Sequence, residues 1–259
     1  QRGERTYSCP KGHSYDLAKE GYVYLLAPNK KHSKDPGDNK QMVSARRAFL
    51  ETGLYQPFSE ELNRLALQYT EPFESPVVLD AGGEGYYTGR LAEALGEHAR
   101  VFGFDISKCA VRAAAKKYRG IAFAVGSSFG IPFAEAGADL VVNVFAPIVP
   151  GELARVIKPG GHLILAVPGE KHLYGLKEIL YEHPYENTYK DTEYAGFAFL
   201  QRTVVTKEIT IVDYQTIQNL FAMTPYYWKT GAEGSEHLRQ TQQLDTQIEF
   251  HFLVYQRNP

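Results

Sequence analysis

The stretch Val77-Val78-Leu79-Asp80-Ala81-Gly82-Gly83-Glu84-Gly85-Tyr86-Tyr87 restricts the possible folds more than any other part of the chain. Val77 to Leu79 is a short apolar run that reads as a buried strand. It ends in an acid and three close glycines, then opens into a helical pattern with Leu91, Ala92 and Leu95 on one face. Glycines are needed where backbone approaches a ligand closely or takes positive φ between a strand and a helix. The free N–H groups and partial positive charge of the helix start suit a carboxylate or phosphate. Taken alone, the turn is equally a plain strand–turn–helix connection.

The next strand changes that balance. Arg100-Val101-Phe102-Gly103-Phe104-Asp105 is apolar and ends in an acid, 25 residues after Asp80. In a βαβ unit, an acid roughly 20 residues beyond the glycine turn holds ribose hydroxyls. The order points to a nucleoside-containing cofactor without saying which.

Further strands follow at Ile121–Val125, Asp139–Val144 and His162–Val167. Helical patterns lie between them, one opened by Ser107 as N-cap with Val111, Ala114, Ala115 and Tyr118 on its inner face. This alternation predicts a doubly wound, mostly parallel α/β sheet. Upstream, helices are expected over roughly 42–53 and through Phe58, Leu62, Leu65, Ala66 and Tyr69, with Pro72 and Pro76 closing the region. Downstream, Phe197–Val212 is β-rich, Tyr214 to Phe221 traces a helical face, and Ile248, Phe250, Phe252 and Val254 alternate. Two strands around one helix predict an antiparallel addition at the sheet edge, seven strands in all.

No apolar run is long enough to span a membrane. Gln1 stands where an initiator methionine would, so a trimmed start is expected. Two cysteines, Cys9 and Cys109, argue against a disulfide framework and make a reducing cytoplasm the simplest setting. The net charge of −2 hides an asymmetry: residues 1–47 hold ten Lys/Arg against five acids, +5, which leaves −7 for the rest. A basic end on an acidic body suggests a polyanionic partner, and a solvated charged face is the competing reading. Within that end, Cys9 and His13 place two zinc-type donors four residues apart on a turn, half of a tetrahedral site. Residues 27–41 read as a long loop rich in Lys, Asp and Pro.

Leu79-Asp80-Ala81-Gly82, Asp105, Ser127-Ser128 before Ile131-Pro132-Phe133, and Lys158-Pro159-Gly160-Gly161 resemble the successive motifs of class I S-adenosylmethionine-dependent methyltransferases. The blocks Cys9-x3-His13, Asp16 to Val23, Asp35-Pro36-Gly37-Asp38, Ala45 to Leu50 and Met223-Thr224-Pro225 resemble the RlmA type, bacterial 23S rRNA guanine-N1 methyltransferases, across essentially the whole chain. The resemblance implies S-adenosylmethionine held by Asp80, Gly82, Gly83, Gly85, Asp105, Ser127 and Ser128. It also implies Zn2+ on Cys9 and His13 together with a Cys-x2-Cys pair expected upstream of Gln1. By the same resemblance, residues 1–41 form a zinc-knuckle remnant and basic RNA-binding linker, and residues 42–259 the methyltransferase domain. The partner would be 23S rRNA, with no membrane and a homodimer as one assembly to consider.

Two departures stand out. The family turn runs Asp-x-Gly-x-Gly-x-Gly, whereas Asp80-Ala81-Gly82-Gly83-Glu84-Gly85 lacks the residue between the first two glycines; a true deletion should disturb cofactor binding. Ser127 stands where many such enzymes carry an acid near the adenine.

Methylating N1 of guanine requires loss of its proton and release of the base from pairing, with aromatic faces to stack on it. Tyr86, Tyr87, Phe145, Tyr226, Tyr227 and Trp228 are candidate pocket walls, with core packing as the alternative for each. Lys30, Lys31, Lys34, Arg46 and Arg47 are candidates for phosphate contacts. Asn143, at the end of the fourth strand, sits where some amino-methylating enzymes place a polar residue, but no general base can be named. The rival readings are a small-molecule methyltransferase and a cofactor-binding RNA module without turnover; a nicotinamide-dependent dehydrogenase fits the C-terminal strands poorly.

Overall fold

A computed structural model describes residues 6–9, 12–26, 36–188 and 192–259. The elements in order are β1 (Thr6–Ser8), β2 (Ser14–Asp16), β3 (Tyr22–Tyr24), α1 (Lys40–Leu50), α2 (Gln56–Thr70), β4 (Val77–Ala81), α3 (Tyr86–Leu95), β5 (Arg100–Asp105), α4 (Lys108–Lys117) and β6 (Ala122–Val125). They continue with β7 (Ala138–Val144), α5 (Pro150–Val156), β8 (Ile157–Pro168), α6 (Tyr174–Leu180), β9 (Phe197–Ile211), α7 (Tyr214–Ala222), α8 (Tyr226–Lys229), α9 (Ala232–Gln240) and β10 (Leu244–Arg257).

β1 and β2 form a small antiparallel ribbon. The main sheet has the order β3-β6-β5-β4-β7-β8-β10-β9. Neighbouring strands from β3 to β8 run parallel, and β10 is antiparallel to both β8 and β9. Where the sequence reading expects seven strands, the sheet has eight. The additional one is β3, whose Tyr22 and Val23 pair with Phe123 and Ala124 and cover the edge that β6 would otherwise expose. Three helices rather than one separate β9 from β10. The order reverses between β4 and β7, so the loops after these strands diverge and leave a crevice at their carboxyl ends.

The pattern that predicted each element also decides which face it buries. Phe58, Leu62, Leu65 and Ala66 of α2 are wholly buried against Ile248, Phe250, Phe252 and Val254 of β10. The Phe58 ring lies 4.6 Å from that of Phe250 and 4.9 Å from that of Phe252. The other face of the sheet carries Leu79, Val141, Leu163, Leu165 and Leu253 under Leu153 and Val156 of α5. Lys158 of the Lys-Pro-Gly-Gly motif is a staple at the opposite end of the strands from the crevice. Its Nζ donates to Asp139 Oδ1 and Oδ2 at 2.7 and 2.8 Å, and Asp139 Oδ2 also accepts from the Val77 amide at 2.9 Å.

Ser107 caps α4 as expected, accepting from the Ala110 amide at 3.2 Å, and its hydroxyl also donates to the Asp38 carbonyl at 2.6 Å. One hydroxyl therefore ties the segment before α1 to the start of α4. Ser107→Ala should lower stability by about 1–2 kcal/mol in urea denaturation, the sum of a lost cap and a half-buried carbonyl left unpaired; an unchanged midpoint would refute that role.

Candidate functional site

Three of the four residues from Gly82 to Gly85 have positive φ: Gly82 at 121°, Gly83 at 139° and Gly85 at 91°. A Cβ on Gly82 would lie 2.8 Å from Ala146 Cβ, and one on Gly85 only 2.6 Å from Ala114 Cβ, so these two glycines let the turn pack against the β7 loop and α4. A Cβ on Gly83 would meet only the Gly85 nitrogen, at 4.0 Å. The Gly83 amide donates to Asp105 Oδ2 at 2.7 Å, and Asp105 Oδ1 accepts from the Ser107 amide at 2.6 Å. Burial pushes the Asp105 carboxyl up to about 6, against the opposing pull of these two amides.

Asp80 lies beneath the turn. Its Oδ2 accepts from the Thr88 hydroxyl at 2.5 Å, while Oδ1 is buried with no hydrogen-bond partner. Burial lifts its pKa to about 7, with the neighbouring Glu84 and Asp105 carboxylates adding to the rise. Glu84, within the turn, is also buried, and its Oε1 lacks a partner. Its pKa is raised by burial although Arg46 pulls it back.

Arg46 of α1 is the cation of this cluster. Nη1 bonds Asp38 Oδ2 and lies 3.6 Å from Glu84 Oε2, and Nη2 donates to the Met223 carbonyl at 3.1 Å. It is thus directed at the turn and the end of α7 rather than held out for a phosphate. Arg47, on the same helix, lines an open groove. Lys30, Lys31 and Lys34 lie outside the described residues. Gly37 completes the junction: a Cβ there would meet Ile106 Cγ2 at 2.8 Å. The Pro36-Gly37-Asp38 block, Arg46 and Met223-Thr224-Pro225, scattered in sequence, converge on one glycine turn.

Gly126, after β6, donates its amide to the Asp105 carbonyl at 3.0 Å. Ser127 is buried, and its hydroxyl accepts from the Phe129 amide at 3.2 Å; Ser128 is half-buried beside it. Asp80, the glycines, Asp105, Ser127 and Ser128 therefore lie at the carboxyl ends of three adjacent strands, β4, β5 and β6. Asn143 is turned inward and shapes the loop after β7, donating to the Pro147 carbonyl and accepting from the Ala146 amide, each at 3.3 Å.

The aromatic candidates divide. Tyr87 is core, 4.7 Å from the Phe58 ring. Phe145, with φ of 55°, is exposed on the crevice side next to Phe58 and His172. Tyr226 sits beside Lys177 and Tyr181, Tyr227 packs on Phe221, and Trp228 is exposed. His172 gave no local signal in the sequence. Its Nδ1 accepts from the Glu249 amide at 3.2 Å and its Nε2 is 3.3 Å from the Tyr55 hydroxyl. Burial holds its pKa down to about 3, so it is neutral with both nitrogens engaged.

In the N-terminal segment Cys9 Sγ lies 3.2 Å from His13 Nδ1, and the Cys9 amide donates to the His13 carbonyl at 3.0 Å. Sulfur and imidazole nitrogen thus lie within hydrogen-bond distance of each other, two donor types that zinc takes. Among the described residues no group of three or more potential metal ligands occurs.

Residues 73–224 match a family model described as a methyltransferase domain. The chain belongs to the methyltransferase-domain family. Ahead of that methyltransferase domain, residues 1–34 match a zinc-ribbon model described as RlmA, N-terminal. The chain is 36% identical over 179 residues to the 23S rRNA (guanine(748)-N(1))-methyltransferase of Streptomyces fradiae, a match over 68% of this chain and 62% of that protein, so it spans less than two thirds of that relative's length. It is 27% identical over 260 residues to YxjB of Bacillus subtilis, described as a candidate 23S rRNA (guanine-N(1)-)-methyltransferase, covering 97% of this chain and 91% of that one. A demethylmenaquinone methyltransferase of Bacillus licheniformis is 30% identical over 109 residues, 38% of this chain and 47% of that one. The family is thereby that of S-adenosylmethionine-dependent transferases, and the residues at the turn fit such a donor. It carries positive charge on sulfur and nitrogen, and the turn presents buried carboxylate oxygens, of Asp80 and Glu84, that have no partner. Among the described residues no helix is long and apolar enough to cross a membrane.

Proposed function

We propose that this chain methylates N1 of a guanine in a hairpin loop of 23S rRNA. One observation carries the reading: an RlmA-type zinc-ribbon match and a methyltransferase-domain match stand in the same chain, in that order. The names of the Streptomyces and Bacillus subtilis relatives agree with it. With such a substrate, the protein would work in the cytoplasm.

Asp105 and the Gly82–Gly85 turn would hold the donor's ribose and amino-acid ends, and Asp80 and Glu84 would balance its positive charge. When bound, S-adenosylmethionine supplies an activated methyl on a sulfonium centre. What the chain adds is position and dryness. Phe145, half-exposed over the buried Phe58, His172 and Phe250 rings, offers a face for a released base. His172 does not take the N1 proton, because both of its nitrogens are occupied inside the core.

Primer extension on 23S rRNA from cells with and without the gene tests the proposal. Methyl on N1 blocks pairing and stops the polymerase, so one stop should vanish in the deletion strain; an unchanged pattern would remove the rRNA reading. The part-length match to demethylmenaquinone methyltransferases favours a small-molecule substrate instead. Removing residues 1–41 is a poor discriminator, since it also strips β3 from the sheet. Cys9→Ala is cleaner: methylation of rRNA should fall about tenfold or more with donor affinity unchanged. Full activity on rRNA in that variant would exclude a role for the zinc-type turn.

A further inference from the structure

We propose that the groove between the N-terminal segment, α1 and α4 holds the sugar–phosphate backbone of the RNA beside the target base. This rests on the rRNA reading above. The groove encloses about 1110 Å³ and is lined by Lys19, Lys40, Arg47, Arg112, Lys116 and Arg119. Its carboxylates are Glu20 and Glu51, which leaves a net of +4 in a chain whose total is −2. Glu20 is bonded to Arg112 at 2.8 Å and Glu51 to Lys117 at 2.5 Å. Among the described residues no carboxylate forms an ion pair with Lys19, Lys40, Arg47, Lys116 or Arg119.

Folding gives little reason for this arrangement. Lys116 in the last turn of α4 and Arg47 in that of α1 suit the helix dipoles, but Lys40 opens α1, at the end where a cation is unfavourable, and that first turn carries no acid. Arg112 and Lys116 stand at i and i+4, a like-charge pair that weakens a helix slightly. The five unpaired cations come from three separate parts of the chain, which the fold brings to one channel. A polyanion relieves that repulsion, and an extended strand of phosphates fits an open channel of this size better than a small ligand does. The groove also adjoins the glycine turn. Arg47 and Glu51 line it and also border Glu84 of the glycine turn and Tyr86, the first residue of α3, with no open channel between.

The test uses the full chain, a fluorescein-labelled RNA hairpin with a guanine in its loop, and anisotropy titrations at several salt concentrations. Lys116→Ala/Arg119→Ala should weaken binding about tenfold or more and reduce the salt slope by about 2, since each phosphate contact contributes roughly 0.9. S-adenosylmethionine affinity and melting temperature should match the wild type. Lys207→Ala, on exposed β9 at the far edge of the sheet, should change neither affinity nor slope. Unchanged affinity and slope in the double variant would overturn the groove. If that variant also methylates rRNA with an unaltered KM, the proposed activity stands without it. If wild type binds the hairpin through these residues but primer extension shows no missing stop, the groove stands and the activity falls. Binding of a polyglutamate peptide without binding of RNA would overturn the proposal in favour of an acidic protein partner.

Discussion

Arg46→Met should lower the stability of the ligand-free protein by about 3 kcal/mol, read as a fall in the urea midpoint at constant slope. The reason is the company Arg46 keeps. Glu84 is buried with one oxygen already unpartnered, Asp38 bonds the same nitrogen, and the Met223 carbonyl takes the other. Methionine replaces the aliphatic stem but strands a buried carboxylate and a carbonyl. Glu84→Gln should be far milder, because it removes a charge that burial already disfavours. Arg46→Met/Glu84→Gln should therefore recover about 1–2 kcal/mol of the single-variant loss, the signature of direct coupling. Strict additivity would show that Arg46 acts through something other than Glu84. The Arg46 variant should also bind donor more weakly, because the tether fixes the shortened turn against α1 and the end of α7.

The second large effect is a pH dependence at Asp80. Its pKa stands near 7 in the fold against an ordinary 3.8. Below about 4 the group is protonated folded or unfolded, and above about 7 it is ionised in both. Between these limits the folded state binds the extra proton, so this group's contribution to stability falls as pH rises and the penalty is fully present above 7. At about 1.4 kcal/mol for each pKa unit, the full penalty is on the order of 4 kcal/mol. His172, held down to about 3, acts with the opposite sign between about 3 and 6.5, so wild type alone would blur the effect. The difference between Asp80→Asn and wild type isolates it. Without donor, the variant should gain on wild type as pH rises from 5 to 8, by a few kcal/mol at the upper end. With saturating S-adenosylmethionine the gap should close or reverse, because wild type gains a cationic partner and the variant binds it poorly. A pH-independent difference would show that Asp80 is not charged at the expense of the fold.

Much of this could be seen along the chain. The parallel strands, the capped helix at Ser107, the glycine turn and the alternating last strand all follow from periodicity and turn chemistry, which depend on neighbours in sequence. The eighth strand could not, since three residues, Tyr22–Tyr24, carry too little pattern to distinguish an edge strand from loop. The helices at Tyr226–Lys229 and Ala232–Gln240 are likewise short: the first buries no residue and the second only Gly234 and Leu238, too few positions to mark a face. Lys158 shows the opposite limit: its motif was readable, but that it staples Asp139 away from the crevice was not.

The residues themselves settled the class of sheet, the place of the glycine turn in it and the acids at its strand ends, because strand, turn and helix preferences act over a few neighbouring positions. Arg46 meeting Met223, 177 positions away, and the cations of three segments facing one groove came only with the folded chain. Such meetings depend on how helices pack across a sheet, and packing is a property of surfaces that no short window of sequence contains.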